Sequence, residues 1–198
     1  MKRILILIML VIATCTASAQ LFKKKSRTVE PQYQVGAVSV INGKATFEEF
    51  IPAKGMSASE IEEKVSGWIS RRFVKPTVIG AKRYESDQPN TMVVKSEEYI
   101  VFKKTAFVQN TPRIYYYLTI TAEDGGCKFN MSRITYWYDD QDENGGIQMK
   151  AENWITDDMA FDKKGRLKKF EGKFRRKTID LKNQLIEELK NELTPDKL

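Results

Sequence analysis

Oxygen-bearing side chains at alternate positions give the sharpest chemical signal in this chain of 198 residues. Asp140-x-Asp142-x-Asn144-Gly145 matches positions 1, 3, 5 and 6 of an EF-hand-type calcium loop, and Ile147 falls at the apolar position 8. Such spacing lets carboxylates and an amide wrap a hard cation while the glycine takes the tight turn. Position 12, which should close the shell with a bidentate glutamate, is Ala151, and Glu152 comes one residue late. The expectation is a solvated acidic turn, with weak calcium at Asp140, Asp142 and Asn144 as the alternative and no other cofactor.

A second signal is aromatic. Along Ile114-Tyr115-Tyr116-Tyr117-Leu118-Thr119-Ile120, strand alternation puts Ile114, Tyr116, Leu118 and Ile120 on one side and Tyr115, Tyr117 and Thr119 on the other. In 127–138 the phase breaks: Phe129 and Met131 alternate, but Ile134, Tyr136 and Tyr138 fall on the opposite phase. A bulge near Ser132-Arg133, or two partly apolar faces, accounts for that. A sheet covered on one side would leave Tyr115, Tyr117 and Trp137 as a binding face for a sugar, peptide or protein; alternatively the C-terminal helix covers them. The adjacent carboxylates Glu48/Glu49, Glu97/Glu98 and Asp157/Asp158 cannot serve as glycosidase dyads, because neighbours on a strand point to opposite faces; solvated surface positions are expected.

Absences restrict the chemistry further. There is no histidine, which removes Ser-His-Asp and Cys-His mechanisms and His-ligated zinc. Of two cysteines, Cys15 precedes the expected cleavage point and Cys127 sits in a strand-like run, where a buried inert thiol is expected.

The elements that would position these residues begin after an export signal. Lys2 and Arg3, the apolar run Ile4 to Ala13, and Ala17-Ser18-Ala19 have the layout of a secretory signal peptide cleaved before Gln20. A lipobox-like Thr14-Cys15 is the competing site; acylation there would anchor the protein to a membrane. Losing Lys2 and Arg3 lowers the formal charge from +7 to +5, with much of the excess in Lys23–Arg27 and Lys163–Lys177. No basic groove is evident, so no nucleic-acid partner is expected, and no transmembrane segment remains after cleavage.

Residues 20–34 read as a basic linker. Val35–Ile41 and Ala45–Ile51 flank Asn42-Gly43, a hairpin signal. Ser57 with Glu60 forms a capping box, Met56 and Ile61 a hydrophobic staple, and Ile61, Val65, Trp68, Ile69 and Phe73 recur at helical spacing before Pro76, predicting a helix over 58–73. Four strands follow over 77–84, 91–102, 113–122 and 127–138, then a brief helix within 149–159 and a terminal helix from 174 to 193. The predicted class is α+β: an antiparallel sheet in the order β-α-β-β-β-β-α, helices on one face, and a C-terminal helical extension. The expected organisation is a signal peptide over 1–19, the linker over 20–34, an α+β domain over 35–140, and an acidic loop with helical extension over 141–198.

Several of these pieces together resemble a known family. Val40-Ile41-Asn42-Gly43-Lys44-Ala45-Thr46-Phe47-Glu48-Glu49 leading into Ser57–Phe73, the later strands, and the tail segments Ala151–Ile155 and Gly172–Asp180 are similar to a secreted, Bacteroides-type domain of unknown function with a TATA-binding-protein-like (TBP-like) fold. The resemblance spans roughly Val38 to Tyr138. It implies the fold and an exported location, and carries no catalytic residues.

The expected function is a non-enzymatic, exported binding or structural module, periplasmic, outer-membrane-associated or extracellular, with a protein or glycan partner at the cell envelope. The alternatives are a carboxylate-dependent hydrolase acting on an envelope or glycan substrate, and a calcium-stabilised structural domain. Intact mass of the exported protein is expected to give an N-terminus at Gln20; a lipid-modified Cys15 would refute that processing.

Overall fold

The computed structural model describes residues 29–104, 109–138 and 145–194. The export signal, Cys15, Asp140, Asp142 and Asn144 lie outside the described residues. A 3-10 turn, Pro31–Tyr33, leads into β1 (Ser39–Ile41) and β2 (Lys44–Pro52), and α1 (Ala58–Arg72) follows. Next come β3 (Val78–Tyr84), β4 (Thr91–Tyr99), a two-stranded pair of β5 (Lys103–Lys104) and β6 (Gln109–Asn110), β7 (Arg113–Glu123), β8 (Gly126–Tyr138) and β9 (Ile147–Lys150). Two helices close the chain, the short α2 (Asp157–Ala160) and the long α3 (Glu171–Leu193). The main sheet is antiparallel in the order β1-β2-β8-β7-β4-β3, with β9 also paired to β8.

Local chemistry accounts for the best-defined pieces. Asn42 and Gly43 take φ of 50° and 72°, the left-handed pair that a two-residue hairpin requires. At the start of α1 the Ser57 side chain accepts from the Glu60 amide and Glu60 accepts from the Ser57 amide at 2.8 Å. Asp124, in the β7–β8 turn, accepts from the Ala58 amide at 2.8 Å and ties the hairpin to the helix start. The same turn needs Gly126, because a Cβ there would lie 2.6 Å from the Ile51 carbonyl oxygen.

Both long helices pack on one face of the sheet. Ile61, Val65, Trp68 and Ile69 of α1 and Phe174, Leu185, Leu189 and Leu193 of α3 are buried with Phe47, Val94, Tyr116, Leu118, Phe129, Met131 and Tyr136 of the strands. The C-terminal segment is thus no extension beyond a boundary at 140: β9 joins the sheet, and α3 belongs to the same core. The predicted brief helix over 149–159 is instead the end of β9, a 3-10 turn (Ala151–Asn153) and α2. The end of the expected linker also packs, since Tyr33 is buried and its hydroxyl donates to Asp180 at 2.5 Å.

Two buried arginines organise this core. Arg72 donates to Glu98 at 2.8 Å, with both side chains almost fully enclosed. Glu98 also accepts from Tyr116 and, at 3.3 Å, from Ser96. Arg72 Nε lies 3.2 Å from Glu188 of α3. Desolvation opposes the Arg72 charge, but Glu98 outweighs it and the net shift is upward. The expectation of solvated carboxylates fails at Glu98, because a charged partner meets it inside the fold. Arg175 is fully buried, donating to the carbonyls of Tyr33 at 3.0 Å, Gln34 at 2.5 Å and Ile155 at 2.6 Å, with Asp157 at 2.8 Å.

Removing one member of a buried pair leaves the other charge uncompensated. Arg72→Met is expected to destabilise the domain by about 3–5 kcal/mol in denaturant unfolding. The double variant Arg72→Met/Glu98→Leu is expected to lie closer to the natural protein than the sum of the single changes predicts. Strict additivity would show that the two groups do not interact.

Candidate functional site

Among the described residues, the helices lie on one side of the sheet and none covers the other. Register places Tyr99, Arg113 and Trp137 in one row, Glu97, Tyr115, Thr135 and Lys150 in the next, and Lys82, Lys95, Tyr117 and Ser132 in a third. Tyr115, Tyr117 and Trp137 therefore share the open face, and each is half-buried. The C-terminal helix does not cover them.

Cations lie against the rings of this face. Arg133 Cζ is 5.2 Å from the Tyr117 centroid and Lys82 Nζ is 5.0 Å from that of Tyr84, while Tyr84 and Tyr117 lie 6.1 Å apart. Arg113 sits 5.1 Å from Trp137 and 6.0 Å from Tyr99. Glu97 holds the centre, accepting from Arg113 at 3.0 Å and from the Tyr115 hydroxyl at 2.9 Å. Burial, then that hydrogen bond, push the Tyr115 phenol up to about 12. Trp137 Nε1 donates to the Gly145 carbonyl at 2.7 Å, which ties the end of the acidic loop to the face.

A cleft of about 730 Å³ opens on the same face. It exists because the outer edge of β8 has two partners. β2 pairs with it from Pro52–Gly126 to Phe47–Met131, and β9 pairs from Lys150–Thr135 to Ile147–Tyr138. Between them lies a bulge: two steps along β7, Tyr115 to Tyr117, oppose three along β8, Thr135 to Ser132. Arg133 within it has φ of 51°. This bulge is the phase break seen in the sequence, and it returns Ile134 and Tyr136 to the core side. The cleft is bordered by Lys44, Glu48, Asn130, Arg133, Lys150 and Glu152, and the Lys44–Glu152 pair, at 2.6 Å, spans its two sides.

Among the described residues, the adjacent carboxylates Glu48/Glu49 and Glu97/Glu98 are each split between the two faces of the sheet. Desolvation pushes Glu152 up, but its bond to Lys44, a backbone hydrogen bond and the charges of Lys44 and Lys150 together outweigh it and the net shift is downward, so Glu152 stays ionised and is a poor proton donor. Glu48 accepts from Asn130 at 2.8 Å on the open face, whereas Glu49 faces Lys190 at 3.0 Å on the helix side. Cys127 is fully buried, and desolvation raises its thiol to about 11, leaving it protonated and inert at neutral pH. Sequence reasoning missed Tyr84, Arg133 and Lys150; the phase break at Ser132-Arg133 was the signal for Arg133.

Residues 47–137 match the family described as a domain of unknown function (DUF4468) with TBP-like fold. These residues form a DUF4468 domain. The chain is similar to a DUF4468 family protein from Bacteroides ovatus ATCC 8483, at 28% identity and a TM-score of 0.76, covering 87% of this chain and 99% of that one. A TBP-like protein from Parabacteroides distasonis ATCC 8503 shares the fold at 20% identity and a TM-score of 0.64, over 78% and 96% of the respective chains. No curated protein matches. The first of these similarities extends well beyond 47–137, in keeping with a DUF4468 domain packed in one core with β9 and α3.

Two tyrosines of the DUF4468 domain, the half-buried Tyr115 and the buried Tyr116, set an alkaline limit. Tyr115 is raised from 10.0 to about 12, and Tyr116 is raised by desolvation and then by Glu98. Between those values the native state holds protons that the unfolded chain releases, so stability is expected to fall as pH rises above 10. Tyr115→Phe is expected to flatten that fall between pH 10 and about 12 in urea unfolding. An unchanged slope would show that the fold, through burial and the bond to Glu97, does not hold the Tyr115 phenol protonated.

Proposed function

We propose that this protein is an exported, non-enzymatic binding module that presents the open face of its sheet to a partner at the cell envelope. The observation that carries this reading is the face itself. Amphipathic rings stand half-buried beside cations on a rigid sheet, with a polar cleft adjoining them. Rings fixed by strand pairing give contact area at little entropic cost. The amino-terminal signal supports the exported location. Among the described residues, no helix is long and apolar enough to cross a membrane.

The experiment is recovery of proteins and glycans from envelope extracts on the immobilised chain 20–198, compared with a Tyr84→Ser/Tyr117→Ser variant. Partners retained by the natural face are expected to be lost from the variant, with its melting temperature lowered by no more than a few degrees. Equal retention by both proteins would overturn the reading.

A further inference from the structure

Arg133 occupies a backbone conformation that a side chain disfavours. Its φ of 51° lies in the left-handed region, where glycine or asparagine is the usual residue. A bulge can be made with glycine at no such cost, so an arginine there calls for a reason beyond turning the strand. The bulge places the Arg133 side chain on the border of the cleft, exposed and against the Tyr117 ring.

Charge completes the argument. Lys44 in the same cleft is neutralised by Glu152, but Arg133 and Lys150 form no ion pair among the described residues. Glu48 is also in the lining, so three cations face two carboxylates and the cleft carries a net charge of +1, with the Arg133 guanidinium presenting a planar fork that matches a carboxylate. The rest of the lining offers far more than an anion requires. Asn42, Ser132 and Thr135 supply an amide and hydroxyls, and Glu48, which accepts from Asn130 at 2.8 Å, keeps further acceptor capacity. Ile41 and Ile134 are the apolar residues of the lining, too few to seat the side chains of a peptide. A ligand with one carboxylate and many hydroxyls fits this set. Tyr117, opposite Ser132 in register, adjoins the cleft with a ring suited to the apolar side of a sugar. The volume lies within the range of small-ligand sites, roughly 300–1,000 Å³.

We propose that the fork between β2 and β9 binds a uronate-bearing saccharide, with its carboxylate between Arg133 and Lys150. This names a ligand for the open-face reading and rests on it.

The test is isothermal titration calorimetry of chain 20–198 with trigalacturonate, its carboxyl-reduced neutral counterpart, and tetraglutamate. Trigalacturonate is expected to bind with a Kd below 1 mM, at least tenfold tighter than either competitor, and to weaken as salt rises. Arg133→Gly and Lys150→Gln are each expected to weaken binding at least tenfold. The melting temperature of Arg133→Gly is expected to stay unchanged or rise, because glycine suits that φ. Absence of binding, equal affinity for the neutral sugar, preference for tetraglutamate, or full affinity in both variants would each overturn the proposal. If partners are still lost from the Tyr84→Ser/Tyr117→Ser variant while no uronate binds, this proposal alone falls; equal retention by that variant removes the open-face reading itself.

Discussion

The ion pair between Arg72 and Glu98 joins the last turn of α1 to β4 inside the core, and much of the architecture answers to it. A carboxylate on the helix side of β4 must be matched there, because burying a lone charge costs several kcal/mol or more. Arg72 supplies the match, Tyr116 brings in β7, and Glu188 reaches in from α3. Four elements thereby meet at one polar cluster with directional bonds. Apolar packing alone tolerates sliding, whereas a buried hydrogen-bonded pair favours one arrangement of helix against sheet. Arg175 acts similarly at the other end of α3. It satisfies carbonyls of the amino-terminal segment and of the stretch before α2, neither of which has a strand or long helix to pair with.

With both helices committed to that side, the opposite face has nothing in the described chain to cover it. Strand alternation decides what it carries: every buried residue on β7 is matched by a half-buried neighbour facing outward. Tyr115 and Tyr117 are exposed to partners for the same geometrical reason that Tyr116 is buried. The face is not simply apolar, since Arg113, Arg133 and Lys82 lie against its rings.

How much of this was legible in the chain depends on the range of the interaction. The capping box at the α1 start could be read, because Ser57 and Glu60 act within one turn, whereas Asp124, which also caps it through the Ala58 amide, lies 66 positions away and could not. The hairpin at Asn42-Gly43 and the long strands were legible from turn chemistry and alternation, and even the bulge left a mark as a phase break. Glu98 was not legible as a core residue, since its partner lies 26 positions away and a carboxylate at that spacing looks like any other surface acid. Arg175 was hidden in a basic run for the same reason. β9 was misread because Ala151, Trp154 and Ile155 have apolar spacing that suits a short helix, and only pairing with β8 makes 147–150 a strand. Of the candidate site, alternation placed Tyr115, Tyr117 and Trp137 on one face, but the cleft depends on two strands sharing an edge, which no local pattern reveals.

That shared edge links the fold to its most specific feature. β2 and β9 cannot both follow β8 in one continuous register, because each would occupy the same side. The bulge at Arg133 resolves the conflict by turning the strand where one partner leaves and the other begins. The hairpin end of β2 then runs free of β8, so that Lys44, which would have faced Ile134 in a continued ladder, instead borders the cleft. The Lys44–Glu152 pair holds the two sides of the fork at a fixed separation. It is partly exposed and contributes little stability by itself. Its effect is geometrical, because a cleft bounded by two independently supported strands keeps its width without a ligand. A binding site of that kind loses little conformational entropy on occupation, which is the physical advantage of placing it between strands and not on a loop.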